Sequence, residues 1–337
     1  MNKKLNIELT PIKKLPKYLK EPTSVNIDKN DIRFVIKFYY QMQDYRIQLA
    51  GQIRSMSQDT SDSITQHELL DWLYSNVVQL EEELKKAIDH YVSNHPVGQW
   101  LKQIIGIGPV LAGGLLCYLD VTKAPSVSHF YSYAGLNDNN VPWLGKEEAR
   151  KLVNTYVSKD VTDEELYALA KATNRKFIQL INMSLNDKGK RDKEQLIKNL
   201  SKPPYNTELK TLCWKIGESF VKVSGKDKSL YGKIYKERKF FETEQNEALA
   251  YANQAEEKLK KYNIGKNTEA YKCYSQGKLP PDHVSSRAKR YAVKIFISHV
   301  FDEMYKHEYH KEPPRAYVFE HLGHVDRIEP EVPGIIL

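Results

Sequence analysis

The residues best placed to do chemistry are Gly106-Ile107-Gly108-Pro109, set between two apolar segments of helical character, Trp100 to Ile105 and Val110 to Leu119. Pro109 suits the first position of the second helix, where its missing N–H would be unpaired anyway. Gly106 and Gly108 permit a tight turn with positive φ and leave the backbone N–H groups of Gly106, Ile107 and Gly108 uncovered. Amides at a helix N-terminus attract an anion such as a phosphate. The same tetrapeptide also serves as a plain structural corner, with Gly113-Gly114 as close-packing positions, so both readings stand. A second group is Arg287, Lys289, Arg290 and Lys294, in a stretch with no acidic residue from Ser285 to Phe301. Arg287, Arg290 and Lys294 are three and four residues apart and share one helix face. Four such cations repel one another unless an anion lies opposite. Arg238 and Lys239 follow a run that interleaves Tyr231, Lys233, Tyr235 and Lys236, a pattern that suits a nucleic-acid backbone with stacking, or a solvated face over a tyrosine-lined core. Arg175 and Lys176 lie, with Asn174 and Gln179, on the second helix of a candidate helix-turn-helix, with a small helical subdomain as the alternative.

The residues for bond-breaking chemistry do not assemble by spacing. Two-metal catalysis needs converging acids, whereas Asp120, Asp138, Glu147 and Glu218 are scattered. Ser219 sits in Gly-Glu-Ser-Phe, which is not a nucleophile elbow, and Ser298 beside His299 is the other serine of interest. His307, His310, His321 and His324 show no settled ligand spacing. Cys117, Cys213 and Cys273 are too far apart for a zinc motif and odd in number, which points to a reducing compartment without a disulfide framework. No catalytic residue, metal or cofactor is therefore assigned.

The chain has 337 residues, 51 Lys and Arg against 43 Asp and Glu, a formal charge of +8 and 22 tyrosines. That moderately basic balance fits an acidic polymer as partner. The first residues carry no apolar leader and no segment is long enough to span a bilayer, so a cytoplasmic protein with no membrane partner is expected.

The elements that must position these groups read as helices throughout: a mostly α, multi-helix protein with an N-terminal antiparallel helical hairpin and a central helix-hairpin-helix. Residues 1–30 read as a flexible basic arm. Residues 31–95 form the helical hairpin, with Phe34, Val35, Phe38, Met42, Tyr45, Leu49 and Ile53 as one apolar stripe. Leu69, Leu70, Leu73, Val77, Leu80, Leu84 and Ile88 form the other, after a cap at Thr65. This hairpin could pair with a second copy or pack on the chain's own core. Residues 96–140 hold the helix-hairpin-helix. Residues 141–204 form a helical insertion, with a capping box at Thr162 and Glu165 and a basic linker over Asn186 to Lys202. Residues 205–312 are helical again: Leu209, Leu212, Trp214, Ile216, Phe220 and Val221 make a stripe, Glu242 to Tyr262 one amphipathic helix, and Gly265 to Lys278 a connector. Residues 313–337 read as an extended tail over the surface.

Gly106 to Pro109, then an Ala/Gly-rich helix ending at Asp120, then Tyr133-Ala134-Gly135-Leu136, resemble the C-terminal domain of the insertion-sequence 110/116/902 family of transposases. Weaker similarity continues from Tyr205-Asn206 through Trp214 and from Arg287 to His299. The chain is more similar still to stand-alone transposase-like proteins that carry this domain alone. The resemblance implies binding to duplex or branched DNA, with structured RNA as an alternative ligand; a homo-oligomer is expected separately, through the N-terminal helices. The family's nuclease domain, and its catalytic serine shortly after the Tyr-Ala-Gly-Leu segment, have no counterpart here. An active recombinase working with a partner nuclease or guide RNA, and a helical assembly protein, remain open beside the binding reading.

Overall fold

A computed structural model describes residues 28–58, 64–137, 144–315 and 327–332. The chain is mostly α, 72 % helical, with 14 α-helices and no β-strand among the described residues. In chain order these are α1 (Lys29–Gln58), α2 (Ile64–Ser93), α3 (Pro96–Gln103), α4 (Pro109–Tyr118), α5 (Val127–Tyr133), α6 (Lys146–Tyr156), α7 (Asp163–Thr173), α8 (Phe177–Ser184), α9 (Lys193–Leu200), α10 (Thr207–Val223), α11 (Leu230–Glu247), α12 (Ala252–Lys261), α13 (Glu269–Ser275) and α14 (Pro281–Tyr309). They divide into two compact units, Met1–Val127 with Trp214–Leu337, and Ser128–Cys213. The second unit is wider than the insertion expected over 141–204. Residues 1–27, 59–63, 138–143, 316–326, with His321 and His324, and 333–337 lie outside the described residues.

In the first unit α1 and α2 pack along each other. The buried face of α1 is Ile32, Ile36, Tyr39 and Met42. The expected stripe is therefore rotated: Phe34 and Tyr45 stand in solvent at 69 % and 54 % exposure. Apolar residues cover more than one face of α1, so periodicity alone does not choose between them. On α2, which starts at Ile64 and so includes Thr65 rather than being capped by it, Ile88 and Val92 are fully buried while Leu69 and Leu73 are exposed. Each buried Ile or Val contributes roughly 1.5–3 kcal/mol. The two helices therefore gain most of their stability at the end that meets α4. There Gly113 allows the approach, since a Cβ would stand 2.8 Å from the Ile88 side chain.

The rest of this unit is built on α14, which lies against α11. Phe220, Tyr231 and Phe296 form a fully buried aromatic triple with ring centroids 5.0–5.4 Å apart. The expected helix from Glu242 to Tyr262 is two helices, broken where Leu249 takes a positive φ of 59°. The expected connector over Gly265 to Lys278 contains α13, capped by the Thr268 hydroxyl. Trp214 is 60 % exposed and leaves the stripe of Leu209, Leu212, Ile216 and Phe220, which are buried.

The second unit has its own core, from Leu144 through Leu166, Leu169 and Leu180 to Leu196, Ile197 and Leu200. The stretch expected as a basic linker therefore includes α9. Asp192 caps it by accepting from the Gln195 N–H at 3.1 Å, and its three apolar residues face inward. Its lysines dominate the composition, but an amphipathic helix of two turns can be mostly charged.

Candidate nucleic-acid interface

The α3–α4 hairpin is held by its surroundings. The Ile107 N–H donates to the Ile104 carbonyl at 3.0 Å, closing a four-residue turn with Gly106 third. Gly106 has φ +100°, the value that position of a type II turn requires of glycine. The Ser219 hydroxyl donates to the Gly106 carbonyl at 2.5 Å, and a Cβ on Gly106 would meet Val223 at 3.2 Å and Ser219 Oγ at 3.3 Å. Ser219, considered above as a nucleophile, is thus a brace for the turn. Ile107 is buried, so it anchors the corner through its side chain and offers no surface, and its N–H is already bonded. That corrects its place among the exposed amides.

Gly108 also departs from expectation. It is extended, with φ −87° and ψ 174°, not left-handed, and it is the exposed N-cap of α4. Nothing lies within 4 Å of where its Cβ would be, and α4 has no side-chain cap. The Val110 and Leu111 N–H groups of the first turn consequently have no helical acceptor. The anion-attracting part of the motif is this uncapped end. Val223 packs on Gly106, and its neighbour Lys222 is exposed, as is Lys226, whose N–H bonds the Val223 carbonyl at 2.9 Å. Sequence reasoning passes over both lysines, because only the fold brings the end of α10 to the hairpin.

One anion already touches the motif. Glu331 accepts from the Ile105 N–H at 3.0 Å and, through its other oxygen, from the Leu230 N–H at 3.2 Å. Burial raises its pKa while the two amides lower it. Residues 327–332 are held further by Trp100 Nε1 donating to the Val332 carbonyl at 3.3 Å and by His299 Nε2 bonding the Ile328 carbonyl at 2.8 Å. His299, which also bonds the Tyr231 hydroxyl, is pushed down to about 4 by burial. Beside it Arg327 pairs with Asp302 at 2.8 Å, yet burial outweighs that cation and raises the Asp302 pKa to about 6.

The cations of α14 do have anions opposite, and they are the protein's own. Arg287 Nε donates to Glu242 at 2.6 Å, and Lys289 pairs with Glu218 at 2.5 Å. Both acids lie on other helices, so the acid-free stretch of sequence is not an uncompensated surface. Arg290 is exposed and Lys294 is half-buried. Arg238 pairs with the same Glu242 and lies over the Phe241 and Tyr291 rings at 4.7 and 4.6 Å. On α11 the tyrosines expected to stack are internal: Tyr231 and Tyr235 are buried. Lys233, Lys236 and Lys239 point outward beside the exposed Phe240, but Glu237 and Glu244 are exposed one turn to either side. That face carries mixed charge.

In the second unit Asn174 takes φ +51° and ends α7, so Asn174 and Arg175 form the turn and Lys176 is the N-cap of α8. None of the three lies within a second helix, contrary to expectation. Arg175 is half-buried and reaches the Met183 sulfur at 3.9 Å, and burial lowers its pKa. Asn174, Lys176 and, beyond them, Gln179 are exposed.

The groups considered for catalysis are engaged separately. Asp120 caps a 3-10 turn at Val121–Lys123, Glu147 pairs with Arg150, and the Ser298 hydroxyl donates to the Ile295 carbonyl at 2.6 Å. Among the described residues no three His, Cys, Asp or Glu side chains are grouped to hold a metal ion, and no helix is long and apolar enough to cross a membrane. Compared with known proteins, the chain matches no family model, no curated protein and no solved structure.

Proposed function

We propose that the protein binds nucleic acid through the phosphate backbone, DNA in duplex or branched form, with structured RNA as the alternative ligand. The observation that carries this reading is the α4 N-terminus: exposed, uncapped, and fixed in place by a turn that Ser219 and Val223 hold from behind. A phosphate there would accept from amides already aligned, with Lys222 and Lys226 at its flank. Similarity to the transposase C-terminal domain supports the same reading. Tyr133 and Tyr205-Asn206, from the two halves of that resemblance, meet: the Asn206 N–H donates to the Tyr133 carbonyl at 2.8 Å, and the Tyr205 ring covers Gly135.

Gly108→Asp separates binding from folding. An aspartate fits this N-cap backbone and should leave stability equal or higher by a few tenths of a kcal/mol. Its carboxylate would occupy the amides that a phosphate needs. The expected result is a fall of roughly tenfold or more in affinity for a DNA duplex or a four-way junction, with a salt dependence shallower by about one log unit for each phosphate no longer held. Unchanged affinity in this variant would make the hairpin a structural corner only.

A second reading, self-association, rests on the α1–α2 pair, where Phe34, Tyr45, Ile47, Leu69 and Leu73 are all exposed. Sedimentation of the full chain tests it: a monomer across micromolar concentrations removes the homo-oligomer.

A further inference from the structure

Glu242 is 1 % exposed and accepts from three donors: Arg287 Nε at 2.6 Å, Arg238 Nη2 at 2.7 Å and the Tyr251 hydroxyl at 2.6 Å. Aromatic rings hold both guanidinium groups from the other side, with Arg287 over Tyr251 at 4.3 Å and Arg238 over Tyr291 at 4.6 Å. His283, Arg287 and Arg290 follow one another along α14 at spacings of four and three, and Lys258 comes in from α12. Burial, then Lys258, Arg287 and Arg290, lower the His283 pKa, while Glu242 raises it. The field at that ring is therefore positive despite the carboxylate. We propose that Arg238, Lys258, Arg287 and Arg290, braced from beneath by Glu242, form a binding site for a phosphomonoester, carried on a nucleic-acid strand end or on a small phosphate ester.

The charge balance selects the ligand class. Arg238 and Arg287 share one buried carboxylate, Arg290 follows Arg287 by three residues on α14, and Lys258 acts on the same His283 ring. Of the other acids on α11, α12 and the first half of α14, Glu256 pairs with Lys260, Glu247 pairs with Lys278, and Asp282, Glu237, Glu244 and Glu257 are exposed. A phosphodiester brings one negative charge, whereas a monoester brings roughly 1.5 to 2 at neutral pH, closer to the excess. Arg287 donates to Glu242 through Nε and lies over the Tyr251 ring, and guanidinium forks match phosphate oxygens. Because the guanidinium groups are already fixed by Glu242 and the rings, binding costs little side-chain entropy. The site is distinct from the hairpin, and only the strand-end source rests on the nucleic-acid reading above.

The test uses the full chain with labelled histidine and reads the His283 ring by NMR while inorganic phosphate replaces chloride at constant ionic strength. A saturable shift is expected, with the ring's pKa rising as the dianion binds. The Lys258→Gln/Arg290→Gln variant should bind phosphate roughly tenfold or more weakly. Its thermal unfolding should be unchanged, since neither residue pairs with Glu242. Two oligonucleotides of one sequence, with a 5′-phosphate or a 5′-hydroxyl, then separate the sources. Tighter binding of the first assigns a strand end, and phosphate binding with equal oligonucleotide affinities assigns a small ester. A wild-type ring that does not respond to phosphate overturns the site, as does an equal response in the double variant. Failure of both oligonucleotides to bind, with phosphate still bound, counts against the nucleic-acid reading alone.

Discussion

Two helical corners in this chain look alike on paper and are held by opposite means. The α3–α4 corner depends on residues far away in sequence: Ser219 bonds its turn, Val223 and Phe220 fill the space beside Gly106, and Glu331 takes the Ile105 amide. The α7–α8 corner is specified locally. Thr162 and Glu165 form the capping box that starts α7, with the Thr162 N–H donating to Glu165 at 3.0 Å, and Asn174 supplies the left-handed residue that ends it. A corner fixed by distant contacts can leave its own helix end uncapped and rigid, which suits it to ligand binding. The start of α8 is uncapped as well, with Lys176 as its N-cap residue, so the two corners differ in what braces them and not in their free amides.

The largest expected effect breaks the first corner. Gly106→Ala places a side chain at positive φ, which costs about 1–2 kcal/mol, and overfills the contact with Val223 and Ser219, for a further 1–3 kcal/mol or so. Denaturant unfolding should therefore show the variant destabilised by roughly 2–5 kcal/mol. Gly108→Ala, two residues on, should cost no more than about 1 kcal/mol, because its backbone is extended and its surroundings open. Equal destabilisation at both glycines would mean the turn is not braced as described.

Acid should next distinguish the two units. His95, whose ring nitrogen caps α3, and His299 are both pushed down to about 4 by burial, against 6.5 in an unfolded chain. Between those values the unfolded state binds the extra proton, so stability present above pH 6.5 is lost as pH falls towards 4, by about 1.4 kcal/mol per pH unit for each ring. Asp302 acts in the opposite sense: raised to about 6, it takes a proton in the folded state first and recovers about the same amount below that pH. The net loss is then roughly 1.4 kcal/mol per unit between pH 6 and 4. Hydrogen exchange should show it in the first unit, where all three groups lie, while α6–α9 keep their protection.

These differences also decide what is legible in the sequence. The Thr162 and Glu165 box and the Pro109 helix start are readable because their signals lie within one turn of chain. The Arg238–Glu242 pair can be read the same way, from its spacing of four. Arg287–Glu242, Ser219–Gly106 and Glu331–Ile105 cannot, since each joins residues more than forty positions apart. The acid-free run on α14 misleads for that reason: compensation comes from α10 and α11. The stripe of α1 fails otherwise, because two faces of that helix are apolar and only the fold shows which one is covered.

At the start of α7, the helix that leads into the second corner, Thr162→Ala should cost about 1 kcal/mol, confined to unfolding of α6–α9. Destabilisation spread over both units would contradict a locally specified corner.

The smallest expected effect sharpens the contrast in binding. Arg175 looks like a phosphate contact by type and position, yet it lies half-buried against Met183. Arg175→Met, similar in length and free of charge, should leave affinity for DNA within about a factor of two, since no phosphate contact is removed. Lys222→Gln, at the end of α10, removes an exposed cation next to Val223, which packs on Gly106 of the hairpin. It should reduce the slope of log affinity against log salt by about 0.9, the value for one phosphate contact on a B-form duplex. If Arg175→Met lowered the slope and Lys222→Gln did not, binding would belong to the α7–α8 corner, and the uncapped end of α4 would be only a bend in the chain.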